Sequence, residues 1–420
     1  MKVVYAFYAA HRYWPDEKQL EEACAEVAVS FCGGCEYELC WDDRPPLAAA
    51  KGDCLVIIPF SGAVQKTILA DAQAYQKVIL CGAYIRGNAS VSVTEAMLRA
   101  NAAPALMDTW GVLRRTHPNA SLVLTQAELK KKLRIAAAAE HISHAKILKI
   151  GETEPWVVSN ASSSAVYEKQ FGVQILPVLQ EEVIRRFEAL SSEAAQPYQN
   201  WFKNNSIHIA EPSDADLLAA SRMAAALMQL MEDYEADGAA IACFNLLKTG
   251  TTMCAGVSYI NDCTDKAISC EGDMDSVITM LMMKKLTVHK LWMANPGLQP
   301  DQTIHFSHCT APICVMQTPW PTTLRSHHES GIGVSLQVDI PSGIPITACR
   351  ISDECRKMTI HKGITVPGSY EPACRTQAYV RFNNFEHYLN TVLGCHQVIA
   401  FEDISEELNE LARIFGVEVL

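Results

Sequence analysis

The chain has 420 residues, too long for one ordinary domain at roughly 100–200 residues each. Apolar residues make up 49% and charged residues 20%, a balance that excludes a disordered polymer. The net charge of −12 argues against a nucleic-acid binder, which needs a basic stripe to neutralise phosphates.

The first residues, MKVVYAFYAAHRYW, carry too short an apolar run for a signal peptide and lead into charged, helix-like sequence. No stretch approaches ~20 uninterrupted apolar residues, so no membrane span is expected. These readings point to a cytoplasmic protein without nucleic-acid or membrane partners. The sixteen cysteines are then expected as reduced thiols rather than a disulfide framework. Cys54, Cys81 and Cys243 sit in apolar strands, where a free thiol behaves as a small hydrophobe.

In chain order, Lys2–Tyr8 reads as a strand. Pro15–Ser30 reads as a helix with Leu20, Ala23, Cys24 and Val27 on one face, the spacing of a helical stripe. Cys54–Phe60 and Val78–Cys81 are continuous apolar runs, followed by helices near Ser92–Asn101 and Gln126–Glu140. Apolar strands separated by helices indicate a parallel sheet covered on both faces. A second α/β run holds strands at Lys146–Ile150, Val173–Val178 and Ala239–Phe244, and helices at Glu181–Ser191 and Asp214–Tyr234, the latter capped by Ser213. A helix over Asp273–Leu286 and strands at His289–Met293 and Thr303–His308 follow. Beyond residue 310 short strands alternate with Pro and Gly: Gly333–Ile340, Ile344–Ile351, Met358–Val366 and Ala378–Phe382, then a closing helix Ser405–Phe415. That texture reads as an antiparallel, barrel-like β-domain. The expected division is an N-terminal α/β domain over 1–142, a central α/β domain over 143–308 and a β-rich domain over 309–420.

The most informative stretch is ISCEGDMDSVITMLMM, residues 268–283. A short apolar strand leads into Glu271-Gly272-Asp273, and a helix begins at once. Two carboxylates thus lie at the carboxyl end of a strand, where open α/β sheets place ligands and where they could bind a metal or move protons. The bland alternative makes Asp273 an N-cap and leaves Glu271 solvated. His308 ends a strand, His327 and His328 lie in RSHHESG, and His396 lies between a turn and a strand. Imidazole with carboxylate suits Mn, Fe, Co, Ni or Zn, and an open, carboxylate-rich site favours Mn or Mg.

From about Glu211 to Leu420 the chain resembles the L-fucose/L-arabinose isomerase family, in its shorter, fucose-isomerase-like form. The matching pieces are Cys243–Phe244, the CEGD helix start (Cys270–Asp273), the His308, Cys309, Pro312 block, the His328 to Gly331 element and the final Gly394, His396 strand. The resemblance implies two flavodoxin-like parallel-sheet domains followed by a C-terminal antiparallel β-barrel-like domain. It implies a homo-oligomer, commonly a trimer or hexamer, and a metal-dependent aldose–ketose isomerase acting on a monosaccharide, with Mn as the favoured divalent metal. The family's metal ligands fall on Glu271, His396 and, in the arabinose branch, His308. Its second acidic ligand is expected near the end of His289–Met293, where this chain reads LWMANPG. Asn295 then ligates through its amide oxygen, Asp273 or another carboxylate substitutes, or the metal site is lost.

The reaction expected is an enediol proton transfer with Glu271 as base and ligand and Asp273 as its partner. Arg12 and Trp14, after the first strand, are candidates to hold the sugar's hydroxyls and stack on its apolar face. Asn245, Lys248 and His328 are further substrate-binding candidates. Against this stand a non-catalytic sugar-binding or regulatory relative that has lost its metal, an isomerase for a deoxy or sulfonated sugar, and a metal or redox role for Cys32, Cys35 and Cys40. A single CxxC without a second pair is a weak signal.

Overall fold

The computed structural model describes residues 1–14, 16–49, 53–83, 93–160, 162–316 and 318–420, with backbone alone over 93–100. Its contacts divide it into two compact units, Met1–Glu140 and His141–Leu420. Pro15 and Ser92, where the sequence reading started two helices, lie outside the described residues.

The first unit is built on a parallel sheet of β1 (Val3–Ala9), β2 (Glu38–Trp41), β3 (Cys54–Pro59), β4 (Lys77–Cys81) and β5 (Ala120–Val123), in the order β2-β1-β3-β4-β5. That is the flavodoxin-type order. Every residue of β3 is buried, as expected of a strand covered on both faces. Successive side chains alternate between the two faces: Phe7, Ala9, Val56 and Ile58 join one core, while Ala6, Tyr8, Leu55 and Ile57 join the other. The helix Glu17–Ser30 buries Leu20, Ala23, Cys24 and Val27 as their spacing requires, and Asp16 caps it by accepting from Lys18 N and Gln19 N. β2 and β5 are short, partly exposed strands that the search for apolar runs passed over. The helix expected to reach Asn101 continues to Thr116 with Pro104 inside it.

The second unit begins with another parallel sheet, of β6 (Lys146–Ile150), β7 (Gln174–Val178), β9 (Gly238–Ile241) and β10 (Ala267–Ser269), in the order β10-β9-β6-β7. Counted by appearance this is 2-1-3-4, the order of the first sheet without its last strand. The helix Asp214–Asp233 opens on Ser213, whose hydroxyl accepts from Asp216 N while Asp216 answers the cap backbone. That is a capping box with Asp in the acidic place.

The remaining strands close on themselves. β11 (Leu291–Leu298), β12 (Ile304–His308), β15 (Pro345–Ser352), β16 (Lys357–Val366), β17 (Thr376–Phe382) and β18 (Gln397–Ala400) run in the order β15-β18-β11-β12-β17-β16, and β16 pairs back to β15. All these pairings are antiparallel, so the six strands form a closed barrel, an arrangement that leaves no open edge. Trp292, Ala294, Phe306, Ala348, Val380 and Ile399 share its main apolar core. The barrel recruits β11 and β12, which the sequence reading had placed with the central α/β run. The expected barrel strand Gly333–Ile340 lies elsewhere: β14 (Ser335–Val338) pairs with β13 (Thr322–Arg325), which pairs with the two-residue β8 (His208–Ile209) in a separate small sheet. A final short strand, β19 (Glu418–Val419), adds to β16. Among the described residues, no helix is long and apolar enough to cross a membrane.

Candidate metal centre

Strands β6, β9 and β10 are parallel and so end on one edge of their sheet, the edge at which such sheets bind ligands. After β10 the chain turns through Glu271 and Gly272, at φ 58° and 65°, before the helix Met274–Lys284. A non-glycine residue in the left-handed region costs about 1–3 kcal/mol, and such strain gathers at functional sites. Glycine is needed at 272 for a second reason: a Cβ there would lie 2.8 Å from Thr153 Cα. The loop after β6 clamps this turn. Glu154 N donates to Glu271 O at 3.0 Å, and Thr153 Oγ1 donates to Gly272 O at 2.9 Å.

The clamped turn aims Glu271 at two histidines from the barrel. His308 is the last residue of β12, and His396 immediately precedes β18. One ligand atom from each of Glu271, His308 and His396 lies within 4.8 Å of the others. The Glu271 side chain is 13% exposed and that of His396 is fully buried. Trp156 Nε1 donates to Glu271 Oε2 at 2.6 Å, which leaves Oε1 facing His396 Nε2 at 3.4 Å.

Each histidine is oriented through its other nitrogen. His396 Nδ1 donates to Asp273 Oδ2 at 2.7 Å, and His308 Nδ1 pairs with Thr310 Oγ1 at 2.7 Å. A carboxylate behind a histidine is the usual support of a metal-ligating imidazole. His396 Nε2 is buried and, apart from the 3.4 Å approach of Glu271 Oε1, meets no hydrogen-bond partner. Orphaned buried polar atoms are uncommon, because desolvation without a partner costs free energy. A cation between His396, His308 and Glu271 would supply a fuller partner set, and two imidazoles with one carboxylate are a donor set able to hold a metal ion. The residues present therefore fit such an ion.

The electrostatics follow from the same contacts. Burial alone would raise the Asp273 carboxyl, but the Arg350 charge and the bond to His396 hold it well below the usual carboxylate range. Glu271 is likewise held down, against its burial, by His396, His308 and the Trp156 N–H. His396 is pushed up by Asp273, Cys395 and Glu271 despite its burial. His308 goes the other way, to about 4, because burial and the neighbouring His396 outweigh Glu271. Two imidazoles this close do not both hold protons easily.

Asp273 is not placed to move a substrate proton. It is fully buried as the helix N-cap and accepts from Ser276 N at 3.0 Å, Ser276 Oγ at 2.9 Å, Arg350 Nη1 at 2.9 Å and His396 Nδ1. Its N-cap role and its contact with His396 coexist, which corrects the expected catalytic partnership to a positioning one. Arg350 Nη1 also donates to His396 O at 2.8 Å, and so ties the barrel to the helix start.

Asn295 lies on β11 one residue past Ala294, which pairs with Gln397, and itself pairs with Ser307. Ser307 precedes His308 and Gln397 follows His396, so the register brings the Asn295 backbone to the site's border. Asn245 and Lys248 are exposed on the turn Phe244–Thr249 that follows β9. His328 is half-buried, whereas the adjacent His327 is buried and meets the Phe244 ring edge-on. Arg12 is exposed in the first unit, its guanidinium 5.2 Å from the Tyr13 ring centre. Trp14 is a core residue at 1% exposure, and its N–H is taken by Phe60 O at 2.9 Å. The expectation that it stacks on a ligand is corrected accordingly. Cys32 and Cys35 touch through their thiols, while Cys40 is buried and not part of that pair. A second acidic group in the first unit, His11 with Asp42 and Asp43, is largely exposed.

Sequence reasoning passed over three groups at the site. Trp156 holds Glu271 and leaves 51% of its surface exposed, and its ring meets Phe244 edge-on. Glu154 is 6% exposed and accepts from Phe244 N at 3.1 Å. Its carboxyl is raised by burial and by the charge of Glu271. Arg350 is the third. The available signal was positional: Glu154 and Phe244 follow β6 and β9, at the same sheet edge as Glu271. Compared with known proteins, the chain matches no family model and no curated protein.

Proposed function

We propose that this chain is a metal-dependent aldose–ketose isomerase that acts on a monosaccharide by an enediol proton transfer. The observation that carries the reading is the convergence of Glu271, His308 and His396 on one point, with His396 Nε2 buried and facing only the Glu271 carboxylate. Glu271, His308 and His396 would hold a divalent ion, with Asn295 as a neutral fourth ligand; Mn is the metal proposed, on the likeness of the Cys270–Asp273, His308 and His396 segments to L-fucose/L-arabinose isomerases. When bound, such an ion supplies Lewis acidity that stabilises negative charge on the sugar's O1 and O2.

The chain's own residues do the rest. Isomerisation needs a base within hydrogen-bond reach of C2 that returns the proton to C1. Glu271 would serve as that base. Trp156 fixes the Glu271 rotamer by holding one oxygen, so the other is presented in a single direction. Glu154, buried beside Glu271 with its carboxyl raised, is suited to carry the proton that passes between the two sugar oxygens. Asp273 and Arg350 keep His396 oriented and take no part in proton transfer. Trp156 offers its exposed face to the apolar side of a sugar ring, with Asn245, Lys248 and His328 as hydroxyl or acid-group binders. The homo-oligomer and a cytoplasmic setting belong to the same proposal.

Asn295, where a second acidic ligand is expected, favours a second reading: a sugar-binding relative without turnover. Proton NMR of the Mn-loaded protein with fucose, arabinose and charged hexoses in heavy water separates the two. Ketose carrying deuterium at C1 is the expected result. Sugar binding without turnover, and no Mn retained on dialysis, would establish the second reading instead.

A further inference from the structure

Two separate chains of contact start at the metal centre and meet at His327. On the sheet side, Trp156, which holds Glu271, meets the Phe244 ring edge-on with centres 4.9 Å apart. Phe244 in turn meets the His327 ring edge-on at 6.0 Å. On the barrel side, the register of β12 on β17 pairs His308 with Thr376. The residue before Thr376, Arg375, holds the backbone just ahead of His327. Its Nε donates to Ser326 O at 2.8 Å and its Nη2 to Ser326 Oγ at 3.2 Å. His327 is thus tied by short routes to both Glu271 and His308, and the proposed reaction gives it no task.

The ring is held in one orientation. His327 N donates to Ile332 O at 3.0 Å, and Gly331 N donates to His327 O at 2.9 Å, which closes the loop on itself. Nδ1 accepts from Ser330 N at 3.3 Å and lies 2.9 Å from Ser330 Oγ. An acceptor at Nδ1 puts the proton of the neutral ring on Nε2. That N–H has no hydrogen-bond partner among the described residues, yet it is not among the polar atoms sealed from solvent. The residue is only 8% exposed, so the small part left open includes a donor fixed in direction. Trp156 is 51% exposed and Phe244 is half-buried. Two aromatic rings and one directed donor at the border of a cation site offer an apolar face with a single polar point, which suits a sugar.

We propose that His327 is a specificity-determining residue whose Nε2–H donates to a sugar hydroxyl other than the O1 and O2 at the ion. This rests on the sugar-binding part of the reading above. A donor fixed in direction favours a hydroxyl on one side of the carbon chain, and the epimer leaves it unpaired. His327 therefore discriminates between stereoisomers that the ion treats alike. It holds no ion and moves no proton.

Two substitutions separate a ligand contact from a structural one. His327→Asn keeps an acceptor for Ser330 at the Nδ1 position and removes the Nε2 donor. His327→Gln carries an amide N–H out to the Nε2 position and loses the acceptor. The test takes the Mn-loaded full-length protein and measures dissociation constants for fucose, arabinose and lyxose, with KM and kcat for any that turns over. Arabinose and lyxose of one series differ only at C3. His327→Asn should weaken the best-bound sugar about tenfold, narrow its margin over the others, and leave Mn affinity and the unfolding midpoint unchanged. His327→Gln should recover most of that loss. Parental sugar affinity in His327→Asn would overturn the proposal. So would a loss that His327→Gln fails to recover, which marks a histidine kept for Ser330 alone. Sugar bound without turnover defeats the isomerase reading by itself, because the affinities still decide the role of His327. A parent that binds none of the three sugars overturns both.

Discussion

Asp273 Oδ2 accepts the His396 Nδ1 proton at 2.7 Å across 123 residues of chain, and the same oxygen accepts from Arg350 at 2.9 Å. One carboxylate therefore serves as helix cap through Oδ1 and as counter-ion and histidine support through Oδ2. Removing it should have separable effects. Asp273→Asn keeps the shape but leaves the buried Arg350 without its nearest charge. We expect a loss of about 3–5 kcal/mol in denaturant unfolding and about 10–100-fold weaker Mn binding by titration calorimetry. An unchanged Mn affinity would show that Asp273 serves the fold alone.

Gly272 tests the turn itself. Gly272→Ala places a Cβ 2.8 Å from Thr153 Cα at φ 65°, so two backbone segments must separate. A loss of about 1–3 kcal/mol is expected, from overpacking and the positive φ together. Guanidinium unfolding reads it directly. A neutral result would mean that the loop after β6 yields freely and does not clamp Glu271.

Trp156 is half exposed, so its replacement should spare the fold. Trp156→Phe keeps an aromatic ring but removes the N–H that holds Glu271 Oε2. Thermal stability should stay close to that of the parent, while Mn affinity falls by about tenfold. Free and bound Mn are counted by electron paramagnetic resonance. Equal affinity would separate Trp156 from the orientation of Glu271.

Asn295→Asp adds a negative charge at the site's border. If the register carries this side chain to the ion, Mn binding tightens, because an anionic oxygen is a stronger ligand for a hard cation than an amide. No change in a competition titration would remove Asn295 from the ligand set.

His361 supplies a pH signal outside the proposed ligand set. It is buried among Phe382, Tyr388 and His387; burial and then the neighbouring His387 lower it from 6.5 to about 4. In the unfolded chain it regains its ordinary value, so between those values the unfolded state binds more protons. Its contribution is intact above about pH 6.5 and is lost as pH falls toward about 4, by at most about 1.4 kcal/mol per pH unit. His361→Phe should lose less stability than the parent between about pH 7.5 and about pH 5 in paired denaturant curves. Parallel curves would contradict the assignment.

Much of the fold is legible in local pattern. β3 and β4 announce themselves as continuous apolar runs, and the stripe of Leu20, Ala23, Cys24 and Val27 marks its helix because burial on one face dictates that spacing. The seating of β18 between β11 and β15 and the transfer of β11 and β12 into the barrel were not legible. They depend on pairings between distant segments, and the period-2 pattern of a strand does not name its partner. The site divides the same way. Glu271 stands in a strand-to-helix turn with an adjacent glycine, and His308 and His396 stand at strand ends. Trp156 and Glu154 lie in a loop whose importance comes only from where β6 delivers it. Trp14 misled for the converse reason: its position after a strand suggested a cleft, but its ring completes the core against Phe60.

Glu271 hangs from the end of a parallel sheet, whereas His308 and His396 belong to the barrel. An ion gripped by all three would act as a rivet between two differently built layers. Neither layer could then open locally without releasing it, so the frequency of partial opening, and not only the global melting point, would depend on free metal. At a hundredfold excess over the dissociation constant the added protection is about 2.7 kcal/mol. Amide exchange in β10 and β18 should slow together on metal addition, in one cooperative step, although the two strands belong to separate sheets.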